Sequence, residues 1–187
     1  SFVLMLGMAA VAEPMVITLV GEQWRPSIDY LQLLCFVGMF YPLHAINLNM
    51  LQVQGRSDLF LRLEVIKKVL AAPVIVIGVF FGLKVMIMGM FVNTLVSYYL
   101  NAYWSGKFIG YSMAQQIKDI LPSFIVASSV AIIVYIFGHV LEVSVFLSLI
   151  LQVVLGGALT VLICEMAHFD NYIFIKKTLF ERMPKFR

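Results

Sequence analysis

Six long apolar runs alternate with short polar segments along the chain. They lie at approximately residues 2–20, 28–54, 59–81, 85–107, 113–137 and 144–165, and are called runs A to F here. A helix that crosses a membrane needs about 20 predominantly apolar residues. The pattern therefore predicts an all-α fold, a polytopic transmembrane bundle of six helices forming a single membrane domain over residues 1–187. An amphipathic tail, residues 170–187, follows the last run.

Composition supports the membrane assignment. Hydrophobic residues make up 62% of the 187 residues and charged residues only 12%, whereas an ordinary soluble domain has about 25% charged residues. So few charges exclude a water-soluble globule and a nucleic-acid-binding protein. The chain starts at Ser1 and is apolar at once, without the basic segment and cleavage site of a signal peptide. We expect a fragment that begins inside a longer protein.

The positive charges predict the orientation of the bundle. The loops after runs A, C and E carry two basic residues, Arg25 and Lys84. The loops after runs B and D, together with the tail, carry eight: Arg56, Lys107, Lys118, Lys176, Lys177, Arg182, Lys185 and Arg187. Because cytoplasmic loops are enriched in Lys and Arg, we expect the second side, and with it the C-terminus, to be cytoplasmic.

Run C is the poorest span because charges fill its first half. Arg62, Glu64, Lys67 and Lys68 leave only residues 69–81 uncharged, and this segment reaches only about 20 Å of an apolar core of about 30 Å. Glu64 can pair one lysine but not both, so net positive charge should remain. Either the lysines extend to an interface or lie on a solvated end of the helix, or they form a cationic wall of a wet cavity that receives an anionic headgroup.

Run A contains an acid directly before a proline. Pro14 leaves the carbonyl of Ala10 without its helical partner, so the helix should kink, and Pro42 and Pro73 repeat this feature in runs B and C. An acid inside a membrane segment is a candidate functional residue. Two interpretations of Glu13 stay open: it couples transport to a proton or cation, or it is neutral and hydrogen-bonds a neighbouring helix.

The end of run B is too polar to face lipid on all sides. Its polar side chains are His44, Asn47, Asn49, Gln52 and Gln54. They cover roughly 220° of the helix surface at 100° per residue. Some should therefore meet neighbouring helices, and some should line a hydrated cavity. His44 by itself is more typical of a structural histidine, and Asn93 and Asn101 of run D are expected to bond between helices.

Motifs for catalysis are missing from the sequence. Only three histidines are present and both cysteines, Cys35 and Cys164, stand alone in apolar runs. No spacing typical of a metal site occurs, and there is no nucleophile–base set or phosphate-binding glycine loop. We therefore expect no metal, no cofactor and no enzyme activity.

Six segments of the chain are characteristic of a known family. They are 4–14 (LMLGMAAVAEP), 19–24 (LVGEQW), 41–49 (YPLHAINLN), 54–60 (QGRSDLF), 63–68 (LEVIKK) and 101–111 (NAYWSGKFIGY). Together they resemble the C-terminal part of Wzx-type polysaccharide flippases of the multidrug/oligosaccharidyl-lipid/polysaccharide exporter superfamily. The resemblance is strongest over residues 4–70 and loose in run F.

The resemblance implies a multi-pass protein of the bacterial inner membrane with two helical lobes around a central cavity. Such proteins move lipid-linked oligosaccharide, on an undecaprenyl pyrophosphate-type carrier, to the outer leaflet by alternating access. Membrane lipid and possible polysaccharide polymerase machinery are the other expected partners. The cavity candidates are Arg62, Lys67, Lys68, Asn47, Asn49 and Gln52, and Glu13 is the candidate for ion coupling. The alternatives are a membrane-embedded enzyme or assembly subunit of envelope glycan synthesis, and a cation-coupled small-molecule exporter of the same superfamily.

Overall fold

The computed structural model describes residues 1–141 and 143–166. Within them the chain forms eight α-helices and one short 3-10 helix, Glu22–Ser27. The α-helices are α1 (Phe2–Ala10), α2 (Ala12–Leu19), α3 (Ile28–Gly38), α4 (Tyr41–Val53), α5 (Ser57–Phe81), α6 (Leu83–Ile109), α7 (Met113–Val140) and α8 (Val145–Met166). The predicted amphipathic tail, residues 170–187, lies outside the described residues.

The chain is an all-helical membrane bundle, as the apolar runs predict. Among the described residues, four helical stretches are long and apolar enough to cross a membrane, or five if α1 and α2 form one bent span. Run C of the six predicted spans corresponds to α5, which lies outside this set. With 25 residues, α5 is about 37 Å long, which is enough to cross a membrane. The charges in its first half, however, make it more polar than the other long helices.

Run A is bent sharply, as its proline predicts. The axes of α1 and α2 meet at 70° across Val11. Pro14 lies in the first turn of α2 and has no N–H to donate to the carbonyl of Ala10. The side-chain amide of Gln32, from α3, donates a hydrogen bond of 3.1 Å to the neighbouring carbonyl of Ala9. Beyond the bend, α2 packs against the 3-10 helix and α3.

Pro42 and Pro73, which are also predicted to bend their helices, have different effects. Run B is interrupted at Met39 and Phe40, between α3 and α4, and Pro42 lies in the first turn of α4. In contrast, α5 continues as one helix through Pro73. The charged turns of run C are therefore helical and continuous with its apolar half.

The bundle is held together by contacts between helices that are neighbours in the chain, such as α5 and α6, and between helices that are far apart in it, such as α1 and α7. Helices α5 and α6 are joined at Gly82 and lie side by side, with Gly78 against Met86 and Gly89 against Val74. Helix α4 packs on α5 and α6, while α1 packs on α3 and α7, and α8 packs on α2 and α7. Small apolar clusters stabilise these contacts, including one in which Leu51 of α4 meets Leu59 and Leu63 of α5. This packing places a polar cavity beside α4.

Candidate functional site

A groove of about 510 Å³ lies between α4, α5 and α6. It forms because Gly55, at φ 71°, allows a tight reversal after α4, so that the end of α4 faces the start of α5. The polar and charged residues of the groove are Tyr41, His44, Asn49, Gln52, Glu64, Lys67, Lys68, Thr94 and Ser97. The structure thus brings together four of the six predicted cavity residues, namely Asn49, Gln52, Lys67 and Lys68.

The groove carries a net positive charge. The ammonium group of Lys67 donates to the carboxylate of Glu64 one turn earlier, an ion pair whose lysine side chain is 15% exposed. Lys68 is exposed, and it has no ion-pair partner among the described residues. The prediction that Glu64 would pair only one of the two lysines is therefore confirmed. Two lysines and one glutamate leave a formal charge of one unit on the groove wall.

The other two cavity candidates lie elsewhere. Arg62 is exposed on α5 and does not line the groove. Asn47 is buried behind the groove wall, 5% exposed. The difference is one of helix phase, because Asn47 and Asn49 are separated by about 200° around α4 and only Asn49 points into the groove.

Asn47 belongs to a buried polar network that joins three helices. Its side-chain amide donates to Oε1 of Gln116 in α7 at 3.0 Å, and its Oδ1 accepts from the hydroxyl of Ser105 in α6. The hydroxyl of Tyr98 also reaches Gln116 Oε1, at 3.4 Å, and Gln116 Nε2 donates to the carbonyl of Tyr111 at 3.3 Å. We call Asn47, Ser105, Gln116 and Tyr98 the buried network. It fixes α4 against α6 and α7, and so holds one wall of the groove.

The sequence interpretation missed Ser105 and Gln116. Ser97, Asn101 and Ser105 are all buried and recur every four residues on one face of α6. Polar or small residues at this spacing are typical of an interface between membrane helices, and the spacing could have identified this seam. Gln116 carried no comparable signal, since it stands among other polar residues at the start of α7.

His44 connects the groove to the same seam of α6. Its ring lies edge-on to Tyr98, with centroids 6.2 Å apart, and its Nδ1 is 3.4 Å from Nδ2 of Asn101. Since an amide nitrogen can only donate, Nδ1 accepts and the proton of the neutral ring lies on Nε2. The predicted interhelical role of Asn101 is confirmed by this contact, and His44 also lines the groove.

Glu13 belongs to α2 and lies near the start of α3, whereas the groove lies beside α4 at the other end of run B. Its Oε1 accepts a hydrogen bond of 2.6 Å from Nη1 of Arg25, and the same guanidinium donates to Glu22 at 2.6 Å. The Glu13 side chain is 42% exposed. The turn at Gly21, which has a φ of 104°, lies between the two residues and brings Arg25 of the 3-10 helix to Glu13 of α2, a pairing that linear spacing does not show. A cation that acts on Glu13 must therefore compete with Arg25.

Within the described ranges, no cluster of three or more His, Cys, Asp or Glu side chains could hold a metal ion. The groove instead offers a lysine ammonium group and side-chain amides. These groups can bind an anion and its hydroxyl-bearing substituents through hydrogen bonds. Four groups that face it, Asn49, Gln52, Thr94 and Ser97, carry no formal charge.

Fold and groove together define an all-helical membrane protein with a cationic polar groove between three helices. In sequence, the chain is similar to the lipopolysaccharide biosynthesis protein WzxC of Escherichia coli (strain K12). The two are 28% identical over 150 residues, which cover 76% of this chain and 29% of WzxC. The chain therefore spans less than a third of that relative. No protein-family model matches the chain, and no solved structure matches it.

Proposed function

We propose that this chain is part of a flippase that moves lipid-linked oligosaccharide across the bacterial inner membrane by alternating access. The carrier would be an undecaprenyl pyrophosphate-type lipid, and the process would serve the synthesis of a surface polysaccharide. The all-helical membrane fold and the similarity to a lipopolysaccharide biosynthesis protein support a transporter over an enzyme. The observation that carries the proposal is Lys68, which lies in the groove beside the Glu64–Lys67 ion pair and has no ion-pair partner in the described part of the chain.

The charge of the groove favours a pyrophosphate. An ammonium group at membrane depth is costly unless it is paired or hydrated, and Glu64 already bonds Lys67. A pyrophosphate headgroup would supply the missing negative charge to Lys68 through a charge-assisted hydrogen bond. The amides of Asn49 and Gln52 lie on the facing wall, where they would contact the first sugar or the phosphate oxygens.

The position of the groove in the bundle suggests from which side of the membrane the substrate enters. The groove is built from the end of α4 and the start of α5, next to the side that carries the excess of basic residues. By the positive-inside rule this side is cytoplasmic, where lipid-linked oligosaccharide is made. Loading would therefore occur through the groove from the cytoplasmic leaflet, and a polymerase would receive the product on the other side.

The test is binding of undecaprenyl pyrophosphate to the protein in nanodiscs, measured by native mass spectrometry with lipid titration. Loss of a hydrogen bond to a charged group costs about 1.5–3 kcal/mol, or about 10- to 150-fold in affinity. We expect a loss in this range for Lys68→Gln. Arg62→Gln is the matched control, because it removes a positive charge from the same helix outside the groove.

The two variants separate a specific site from a general attraction of charge. If Arg62→Gln weakens binding as much as Lys68→Gln, the effect is that of net charge and the groove is not the binding site. If neither variant weakens binding, the proposed function fails. Undecaprenyl phosphate, which has a single phosphate, should bind more weakly than the pyrophosphate lipid.

A further inference from the structure

A second cavity, of about 430 Å³, lies at the other end of the bundle, and we call it the distal cavity. It is lined by α2, the 3-10 helix and the start of α3 on one side, and by the end of α7 and the start of α8 on the other. Asp29 in its wall and Asn49 in the groove are 20 residues apart on the run B helices, which corresponds to about 30 Å. The distal cavity is therefore separate from the groove.

Helix α8 turns polar side chains towards this cavity. It is one of the most apolar segments of the chain, yet its two buried residues are Ser148 and Gln152. Both line the distal cavity. Buried polar groups in a membrane segment are costly and are typical of functional sites or helix contacts. Since the buried residues of this apolar helix are both polar, the cavity that they line is a candidate site for a polar ligand.

Gln152 has unused hydrogen-bonding capacity. It is 3% exposed, and its Nε2 donates to the hydroxyl of Ser148 at 3.1 Å. Its carbonyl oxygen, Oε1, is buried and has no hydrogen-bond partner among residues 1–141 and 143–166. An unsatisfied buried acceptor destabilises the folded state. A ligand that donates a hydrogen bond to Oε1 would satisfy this group.

The backbone of α7 is shaped to admit this amide. A Cβ atom at Gly138 would lie 1.6 Å from Nε2 of Gln152, so any side chain at position 138 would displace the amide. The next residue, His139, also lines the cavity, and its Nδ1 is 3.1 Å from the carbonyl of Tyr135. Because that carbonyl can only accept, Nδ1 donates, and Nε2 of the neutral ring is a second acceptor.

The charged residues that line the distal cavity in the described part of the chain, Glu13, Arg25 and Asp29, already have ion-pair partners. Glu13 is paired with Arg25, and Asp29 accepts a hydrogen bond from Lys84 at 3.2 Å. A cation that entered the cavity would therefore have to displace an existing partner. Gln152 Oε1 and His139 Nε2 add neutral acceptors to these paired groups, and the cavity is within the size range of sites for small organic molecules, roughly 300–1,000 Å³. These properties favour a neutral ligand rich in hydroxyl donors over a metal ion.

We propose that the distal cavity binds a sugar ring, whose hydroxyl groups donate hydrogen bonds to Oε1 of Gln152 and to neighbouring acceptors. The identity of the ligand as a sugar rests on the proposed function. In that function, the distal cavity is a site for the glycan portion of the substrate, separate from the groove that binds the pyrophosphate. Arg25 and Gln32 also line it and complete a set of planar polar side chains suited to hydroxyl groups.

The test is saturation-transfer difference NMR on the full chain in nanodiscs, with methyl glucoside and methyl N-acetylglucosaminide as probes. We expect a saturation signal from the wild-type protein and its loss in Gln152→Leu, which keeps the side-chain size and is compatible with an apolar helix. Gly138→Ala should also reduce the signal, because its methyl group occupies the position of the amide. Gln52→Leu, which changes an amide of the groove, is the matched control and should keep the signal.

Each result bears on one of the two proposals. A sugar signal that survives in both Gln152→Leu and Gly138→Ala would overturn the assignment of the distal cavity, as would no sugar signal in the wild-type protein. Displacement of the sugar by sodium chloride but not by an equal concentration of choline chloride would identify a cation site instead. Retained binding of undecaprenyl pyrophosphate by Gln152→Leu would show that the groove is intact. The same retention in Lys68→Gln would overturn the proposed function alone.

Discussion

Replacing Asn47 with leucine tests whether this residue holds the bundle together or contacts the substrate. Asn47 makes two side-chain hydrogen bonds that cross between helices, to Ser105 and Gln116. Interhelical hydrogen bonds in membrane proteins average about 0.6 kcal/mol and reach about 1.7 kcal/mol. Two such bonds therefore give a loss of about 1–3 kcal/mol in the free energy of unfolding.

The remaining partners place the expected loss in the lower part of that range. After the substitution the Ser105 hydroxyl still has the carbonyl of Ala102 at 3.4 Å, and Gln116 still has the hydroxyl of Tyr98 at 3.4 Å. We expect Asn47→Leu to lower the free energy of unfolding by about 1–2 kcal/mol. The measurement is reversible unfolding in mixed micelles of increasing SDS content, followed by circular dichroism.

Asn49→Leu is the control, since Asn49 is exposed in the groove two residues along the same helix. Its unfolding free energy should change by less than about 0.5 kcal/mol. If Asn47→Leu is no less stable than Asn49→Leu, Asn47 does not hold the helices together. Loss of undecaprenyl pyrophosphate binding without loss of stability would return Asn47 to the role of a substrate contact. A double-mutant cycle with Ser105→Ala should give a coupling energy of about 0.6–1.7 kcal/mol.

Three further predictions concern the ends of the bundle. A reporter that is active only in the periplasm, fused after Arg187, should remain inactive, and its activity would reverse the predicted orientation. If Glu13 couples transport to an ion, Glu13→Gln should reduce transport at normal expression and remove the ion dependence of transport. If Glu13 only pairs with Arg25, the double variant Glu13→Gln with Arg25→Gln should transport as the wild type does. A hydrogen bond to Asp119 raises the pKa of Tyr111 to about 12. The stability that this hydrogen bond provides is therefore present below about pH 10, where tyrosine is protonated in the folded and the unfolded chain, and is lost as the pH rises to about 12. Asp119→Asn should return the pKa of Tyr111 towards 10 in a tyrosinate absorbance titration.

The sequence by itself determined the class of the protein and the strand-free, helical character of its described part. Runs of about 20 apolar residues can satisfy their backbone in lipid only as helices or closed barrels, and continuous runs favour helices. That Glu64 would pair with one of its two lysines was equally predictable, because residues three and four apart meet on any helix. The choice of Lys67 over Lys68 came from the structure. The bend near Pro14 was also predictable, because the missing N–H is a property of proline itself.

Tertiary structure decided which polar residues share a site. Asn47 and Asn49 have the same chemistry, and only the positions of α5, α6 and α7 place one in the buried network and the other in the groove. The pairing of Glu13 with Arg25 depends on how the chain turns at Gly21, between α2 and the 3-10 helix. Local chemistry fixes the conformation of a segment, but the direction in which a side chain finds its partner depends on how separate helices pack, and that is a property of the whole bundle.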